Sequence, residues 1–267
     1  MEKILLALDP KNLNMSSVDF ACYLSRLTHS RLTGVFLEDI YNEEPDLVHT
    51  TQKEPDRDHP TISLSSISSF KVACECRGVS TLVHRDRGVP ADEIIEESRF
   101  ADLVVVDAET SFARRNESVP GRFVKDVLLE SECPIIISPF SFDSLDEIIF
   151  SYNGSKSSMF AIKQFTYLFP ELQQKKAIIV SARANGEDSL EEQFKLKEWL
   201  KNHYNDVEFV ILKGDPSDQL FGYLIERKNG IVVMGAYGRG MLSQFFRPSH
   251  AKLIVKTVNL PIFISHY

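Results

Sequence analysis

The sequence runs through one plan twice, and that duplication constrains its fold more than any other feature. An apolar run closing at Asp9 is matched by another closing at Asn153, 144 residues later. Gly88-Val-Pro90-Ala-Asp92 has a counterpart in Gly214-Asp-Pro216-Ser-Asp218, 126 residues on. Ala101-Asp-Leu-Val-Val-Val-Asp107 matches Asn229-Gly-Ile-Val-Val-Met-Gly235 at an offset of 128. Cys133-Pro134-Ile-Ile-Ile-Ser138 matches Leu260-Pro261-Ile-Phe-Ile-Ser265 at 127. Four pairs in one order identify a duplication. Two domains are expected, 1–143 and 144–267, because the apolar pattern breaks in the stretch 139–145. Each half then has the size of an ordinary domain. The first offset is larger because residues 41–60 add chain that is acidic, Pro-containing and aperiodic, which reads as an inserted surface loop.

Within each half, short apolar runs alternate with segments of helical period. The runs 4–8, 32–37, 103–106 and 135–137 are apolar on both alternating faces, as buried parallel strands are. Residues 15–30 place Val18, Ala21, Cys22 and Leu24 on one side of a helix. Residues 189–204 open with the capping-box spacing of Ser189 and Glu192 and bring Leu190, Phe194 and Leu200 together beside Trp199. Pro90 and Pro216 occupy first-turn positions, each followed by acidic residues that suit a helix N-terminus. The expected fold is α/β: two tandem doubly wound, Rossmann-like parallel-sheet domains with helices on both faces. Right-handed crossovers leave a ligand crevice at the carboxyl ends of the strands.

Charge narrows the function classes. A net charge of −8 argues against a nucleic-acid partner, which requires a basic stripe to displace counterions from phosphate. No apolar run reaches the roughly 18 residues of a membrane span. Four irregularly spaced cysteines do not make a disulfide framework, so a cytoplasmic protein is expected. Residues 1–143 hold 15 basic and 25 acidic side chains, whereas the remainder holds 15 and 13. An anionic ligand is therefore better tolerated in the second half.

The loops after strands in the second half carry the chemistry. Gly235-Ala-Tyr-Gly238-Arg239-Gly240 follows a strand directly, and its glycines let backbone amides approach a bound group. Pro248-Ser249-His250-Ala-Lys252 then opens a helix, whose N-terminus attracts anions. Arg239, Arg247, His250 and Lys252 add positive charge, so the region reads as a phosphate cradle. In the first half the corresponding loop has no glycine at either place and puts Asp107 and Glu109 where phosphates would lie, with Arg114 and Arg115 nearby; the later element survives as Gly121-Arg122. Each feature also has a plainer reading. Gly235 and Gly238 serve a tight turn, and His84 and His250 are surface or packing residues. Cys74 and Cys76, two apart on a helix, point in different directions. No other Cys/His cluster has metal-site spacing, Ser249 has no adjacent base, and no P-loop is present.

On these residues the chain resembles the universal stress proteins, in a tandem form with two such domains; the resemblance covers nearly everything outside 41–60. Nucleotide-binding members carry G-x-x-G, nine residues, then G-[ST]. Here Gly235 and Gly238 match, nine residues follow, and Pro248-Ser249 replaces the third glycine with a residue that donates no backbone hydrogen bond. A family aspartate at the end of the first strand is Asp9 in the first half and Asn153 in the second. The resemblance implies an adenine nucleotide (ATP, ADP or AMP) held in the second half by Asn153, Ala182, Met234, Gly235, Gly238, Arg239, Gly240, Ser249 and His250. It implies a non-catalytic stress-response protein. The first half departs from the pattern and is read as having lost nucleotide binding, and the residues give no metal site. The resemblance further implies that strands 134–138 and 261–265 join the halves into a pseudo-dimer, and it allows a homodimer of chains. A ligand-free interaction scaffold and a slow ATPase are the competing expectations.

Overall fold

A computed structural model of the chain describes residues 1–39, 61–113, 117–183, 190–236 and 258–266. The first half contributes β1 (Lys3–Leu8), α1 (Met15–Thr28), β2 (Arg31–Asp39), α2 (Thr61–Cys76), β3 (Thr81–Gly88), α3 (Pro90–Ser98), β4 (Leu103–Asp107), α4 (Arg122–Glu130) and β5 (Ile135–Ser138). The second contributes β6 (Glu147–Ser151), α5 (Lys156–Leu168), β7 (Lys176–Arg183), α6 (Leu190–Lys201), β8 (Val207–Lys213), α7 (Pro216–Ile225), β9 (Gly230–Gly235) and β10 (Ile262–Ser265).

All of these strands form one ten-stranded sheet in the order β3-β2-β1-β4-β5-β10-β9-β6-β7-β8. Read outward from the centre, the two halves have the same order, so the sequence repeats fall at equivalent places. Neighbours within a half are parallel. Among the described residues the single antiparallel junction is β5 with β10, where Ile137, Ile136 and Ile135 face Ile262, Phe263 and Ile264. The pseudo-dimer expected from strands 134–138 and 261–265 is thus present. It arises because both strands are apolar on both faces and each leaves an edge that must be hydrogen-bonded.

Alternation along the strands feeds a core on each side of the sheet. Ile4, Leu6 and Leu8 enter one core with residues of α1, α2, α5 and α6; Leu5 and Ala7 enter the other with residues of α3, α4 and α7. At the junction, the Phe263 ring packs edge-on against Phe165 of α5 at 5.2 Å. The crossover segment after β5 is tied down by Asn259, whose side-chain amide donates to the Ser141 carbonyl at 3.0 Å and accepts from its amide at 3.1 Å.

Local chemistry sets the helix ends. Asn14 accepts from the Ser16 amide at the start of α1, and His29 closes that helix in the left-handed region, with φ 52°. Pro90 and Pro216 sit in the first turns of α3 and α7, and Asp215 caps α7 by accepting from the Ser217 and Asp218 amides. One expectation fails on α6. Leu200 is buried, but Phe194 is 69% exposed and Leu196 takes the inward place; from Leu196 to Leu200 is the four-residue step that keeps one face, whereas Phe194 lies 200° of helical turn from Leu196. The capping residue Ser189 lies outside the described residues. No described helix is long and apolar enough to cross a membrane.

Candidate functional site

In each half the helices change side of the sheet at one place. α5 and α6 cover one face while α7 covers the other, so the switch in the second half lies between β6 and β9. Such a point leaves a crevice at the carboxyl ends of the strands. Phe150 pairs with Val233 across it, which sets Asn153 and Gly235 at neighbouring strand ends. Ser151 pairs with Val180 on the other side, bringing Ala182 to the same rim.

The sequence-predicted residues take distinct roles there. Asn153 is exposed, and its Oδ1 accepts from the Ser155 amide at 3.0 Å, shaping the turn through Gly154 at φ 79°. Ser155 then caps α5 by accepting from the Ser158 amide at 3.1 Å. Ala182 is half-buried at the end of β7. Met234 is 1% exposed and packs into the core, so only its backbone faces the rim. Gly235 pairs with Ser265, and a Cβ added to it would come 2.5 Å from the Ser157 carbonyl carbon and 2.4 Å from its Oγ. The start of α5 therefore presses against the backbone of Gly235, a contact only glycine permits. Gly238, Arg239, Gly240, Ser249 and His250, together with Pro248, lie outside the described residues.

The first half shows the same rim with different chemistry. Its switch lies between β1 and β4, and where the second half has Gly235 it has Asp107. The Asp107 carboxylate accepts from Asn14 Nδ2 at 2.7 Å and from the Glu109 amide at 3.1 Å. The Asn14–Asp107 bond spans the mouth of the crevice and fixes a negative charge there. Asp9, opposite Asn153 in the repeat, is half-buried and accepts from the Lys11 amide at 2.9 Å. Burial raises its carboxyl above the ordinary range, opposed by the Lys11 amide and by the Lys11 charge.

A second carboxylate occupies the anion-attracting helix start. Glu117 Oε2 accepts from the Arg122 amide at 3.2 Å and from Ser111 Oγ at 2.8 Å, at the N-terminus of α4. A Cβ on Gly121 would lie 2.6 Å from that oxygen, so the glycine makes room for it. The Gly121-Arg122 element retained in the sequence is thus filled by the chain's own carboxylate. Beside it lies a cavity of about 480 Å³ bordered by Asp39, Asp92, Glu117 and Asp126, with Arg122 as the cation among the described residues. Arg122 is already 3.4 Å from Asp126. Such a surface repels polyphosphate. Glu109 was expected to supply charge here; Glu117, six residues from Ser111, is the residue that sequence reasoning missed. Its only visible clue was its place four residues before Gly121. Arg114 and Arg115 lie outside the described residues.

His84 Nδ1 is 2.9 Å from Glu97 Oε1, whose partner oxygen meets Lys3 at 3.3 Å. Cys74 is buried and Cys76 exposed, as their spacing on a helix requires. Among the described residues, no group of three His, Cys, Asp or Glu side chains could hold a metal.

Two five-stranded, doubly wound sheets fused edge to edge, each with a crevice at its switch point, define a tandem Rossmann-like α/β protein. More narrowly, the fold is that of the universal stress proteins. A universal stress protein from Archaeoglobus fulgidus DSM 4304 superimposes with a TM-score of 0.74 at 17% identity, covering 99% of this chain and 98% of that one. A functionally unknown protein from Pseudomonas aeruginosa PAO1 superimposes with a TM-score of 0.60 at 13% identity, covering 100% and 92%. No protein-family model matches the sequence, and no curated protein does.

Proposed function

We propose that the chain is a non-catalytic stress-response protein that binds an adenine nucleotide in its second half alone. The observation that supports this most is the contrast between the two rims. In the first half, Asp107 bridges the crevice mouth and Glu117 fills the helix start. In the second, the expected site residues that lie among the described ones, Asn153, Ala182, Met234 and Gly235, carry no charge. On this reading Asn153 Nδ2 donates to a ribose or base acceptor, the backbone from Gly235 to Gly240 lies along the phosphates, and Ser249 and His250 meet them at the following helix start. The adenine preference comes from the resemblance of Gly235-x-x-Gly238 and Ser249 to the nucleotide-binding pattern. Thermal unfolding with millimolar ATP, ADP or AMP tests it, because a ligand of the native state raises the melting temperature by mass action. A rise with at least one of them is expected; no rise with any defeats the proposal.

A second reading is favoured by one specific observation. Gly235 is demanded by the Ser157 backbone whether or not a ligand binds. A ligand-free scaffold would keep this glycine too, with its function in protein contacts. Nucleotide recovered from the protein as purified would exclude it.

A further inference from the structure

We propose that Cys22 and Cys74 form a peroxide-responsive dithiol pair that closes to an intramolecular disulfide between α1 and α2. The two sulfurs are 3.5 Å apart, in side-chain contact across the helix pair, and both residues are buried, at 1% and 0% exposed. A disulfide requires a sulfur separation of about 2.05 Å, so the gap closes by small rotations of two short side chains already pointing at each other. Neither Cys76, exposed on the outer side of α2, nor Cys133, in the other core, has such a partner among the described residues.

The surroundings hold the pair in place. Asp19 stands three residues before Cys22 on α1, and Arg77 three residues after Cys74, just past the end of α2. Arg77 forms an ion pair with Asp19, and its other guanidinium nitrogen donates to the Ala73 carbonyl at 2.7 Å. The pair therefore staples the two elements one turn from the thiols. Cys74 lies in the last turn of its helix, where its carbonyl accepts from the Arg77 and Val79 amides. Cys74 is thus near an element end, which opens at lower cost than the helix centre where Cys22 lies and admits a molecule as small as hydrogen peroxide from that side.

The hydrogen bond between the two sulfurs lowers the Cys22 thiol, with Arg77's charge acting in the same direction against the effect of burial. The same bond and burial raise the Cys74 thiol. The reaction starts at Cys22 as the thiolate. It attacks one oxygen of hydrogen peroxide; the S–O bond forms, the O–O bond breaks, and the departing hydroxide takes up the thiol proton as water. Cys74 sulfur then attacks the Cys22 sulfenic acid; the S–S bond forms, the S–O bond breaks, and the hydroxide leaves with the Cys74 proton as a second water. Two thiols are oxidised and one peroxide is reduced.

The test treats the full-length reduced protein with hydrogen peroxide at an excess sufficient to oxidise the exposed Cys76, followed by alkylation and peptide mass spectrometry. The expected product is a Cys22–Cys74 cross-linked peptide pair about 2 Da lighter than the two free thiols together, lost on reduction. The oxidised protein should also melt above the reduced one, since the bond closes a long loop of the unfolded chain. Cys76→Ala should form the same cross-link, and Cys22→Ala should not. Alkylatable Cys22 and Cys74 after Cys76 has been consumed would overturn the proposal, as would a cross-link that instead joins Cys76. Because the decisive readings use the wild-type chain and the exposed-site variant, poor folding of Cys22→Ala leaves them intact.

Discussion

Gly235→Ala separates the packing role of the crevice glycine from its suitability for a ligand. The new Cβ would lie 2.5 Å from the Ser157 carbonyl carbon, 2.6 Å from its oxygen and 2.4 Å from its Oγ. The Ser157 backbone cannot rotate out of the way. Ordinary carbon contacts begin near 3.5 Å, so the N-terminal turn of α5 must retreat from β9 by roughly 1 Å. That turn is held by Ser155 as its cap and leads into the buried Ala161, Ile162 and Phe165, so the retreat loosens a filled core. Overpacking of this kind costs about 1–3 kcal/mol, and the alanine recovers about 0.4–1 kcal/mol by restricting the unfolded chain. A net loss of about 1–2 kcal/mol corresponds to a melting temperature lower by roughly 2–8 °C for a chain of this size. Far-UV circular dichroism and the fluorescence of Trp199, the single tryptophan, follow the transition. Gly222→Ala is the control: Gly222 lies within α7 with open space at its Cβ position, so alanine there should raise the melting temperature. A Gly235→Ala protein as stable as wild type would refute the packing argument.

Two further outcomes follow from the seam and the first-half rim. Phe263→Ala should cost about 3–5 kcal/mol, because the ring is fully buried between Phe165 and Phe169 on the strand that joins the halves; the urea midpoint should fall with an unchanged slope, and a fall of under 1 kcal/mol would contradict it. Asp9→Asn places in the first half the residue that the second half carries. Because burial raises the Asp9 carboxyl, the folded state holds its proton through a window where the unfolded state has lost it. Stability therefore falls as pH rises through that window, and the deficit persists above it. The variant should melt higher than wild type at pH 7, with the gap closing as pH drops below the ordinary carboxylate value of 3.8; an equal gap at both ends would remove the ionisation argument.

Much of the fold was readable because buried parallel strands announce themselves on both faces. Leu103 to Val106 and Ile135 to Ile137 have no polar alternative, and the repeat fixed their counterparts. The edge strands β3 and β8 were less visible. Their residues alternate between half-buried and exposed, and charged side chains such as Arg85 and Glu208 suit an edge that meets water. Phe194 misled because a helical spacing does not state how wide the buried stripe is. At the rim, Asn153 and Gly235 were legible as strand-end residues, but their partners were not: the pressure of Ser157 on Gly235 is a contact across 78 residues of chain. The same holds for the Asn14–Asp107 bridge and for the meeting of Cys22 with Cys74, 52 residues apart. Glu117 was hidden for a different reason. Its carboxylate acts on a helix start only through the fold of the loop that precedes it.

The central claim is one nucleotide site per chain, in the second half. Isothermal titration of the full-length protein with ATP, ADP and AMP, repeated with Gly238→Asp to place a carboxylate in the glycine loop, tests it most directly. The predicted result is a stoichiometry of one nucleotide per chain that the substitution abolishes while the fold is retained. No binding by the wild-type chain, two equivalents per chain, or binding that survives Gly238→Asp would contradict it.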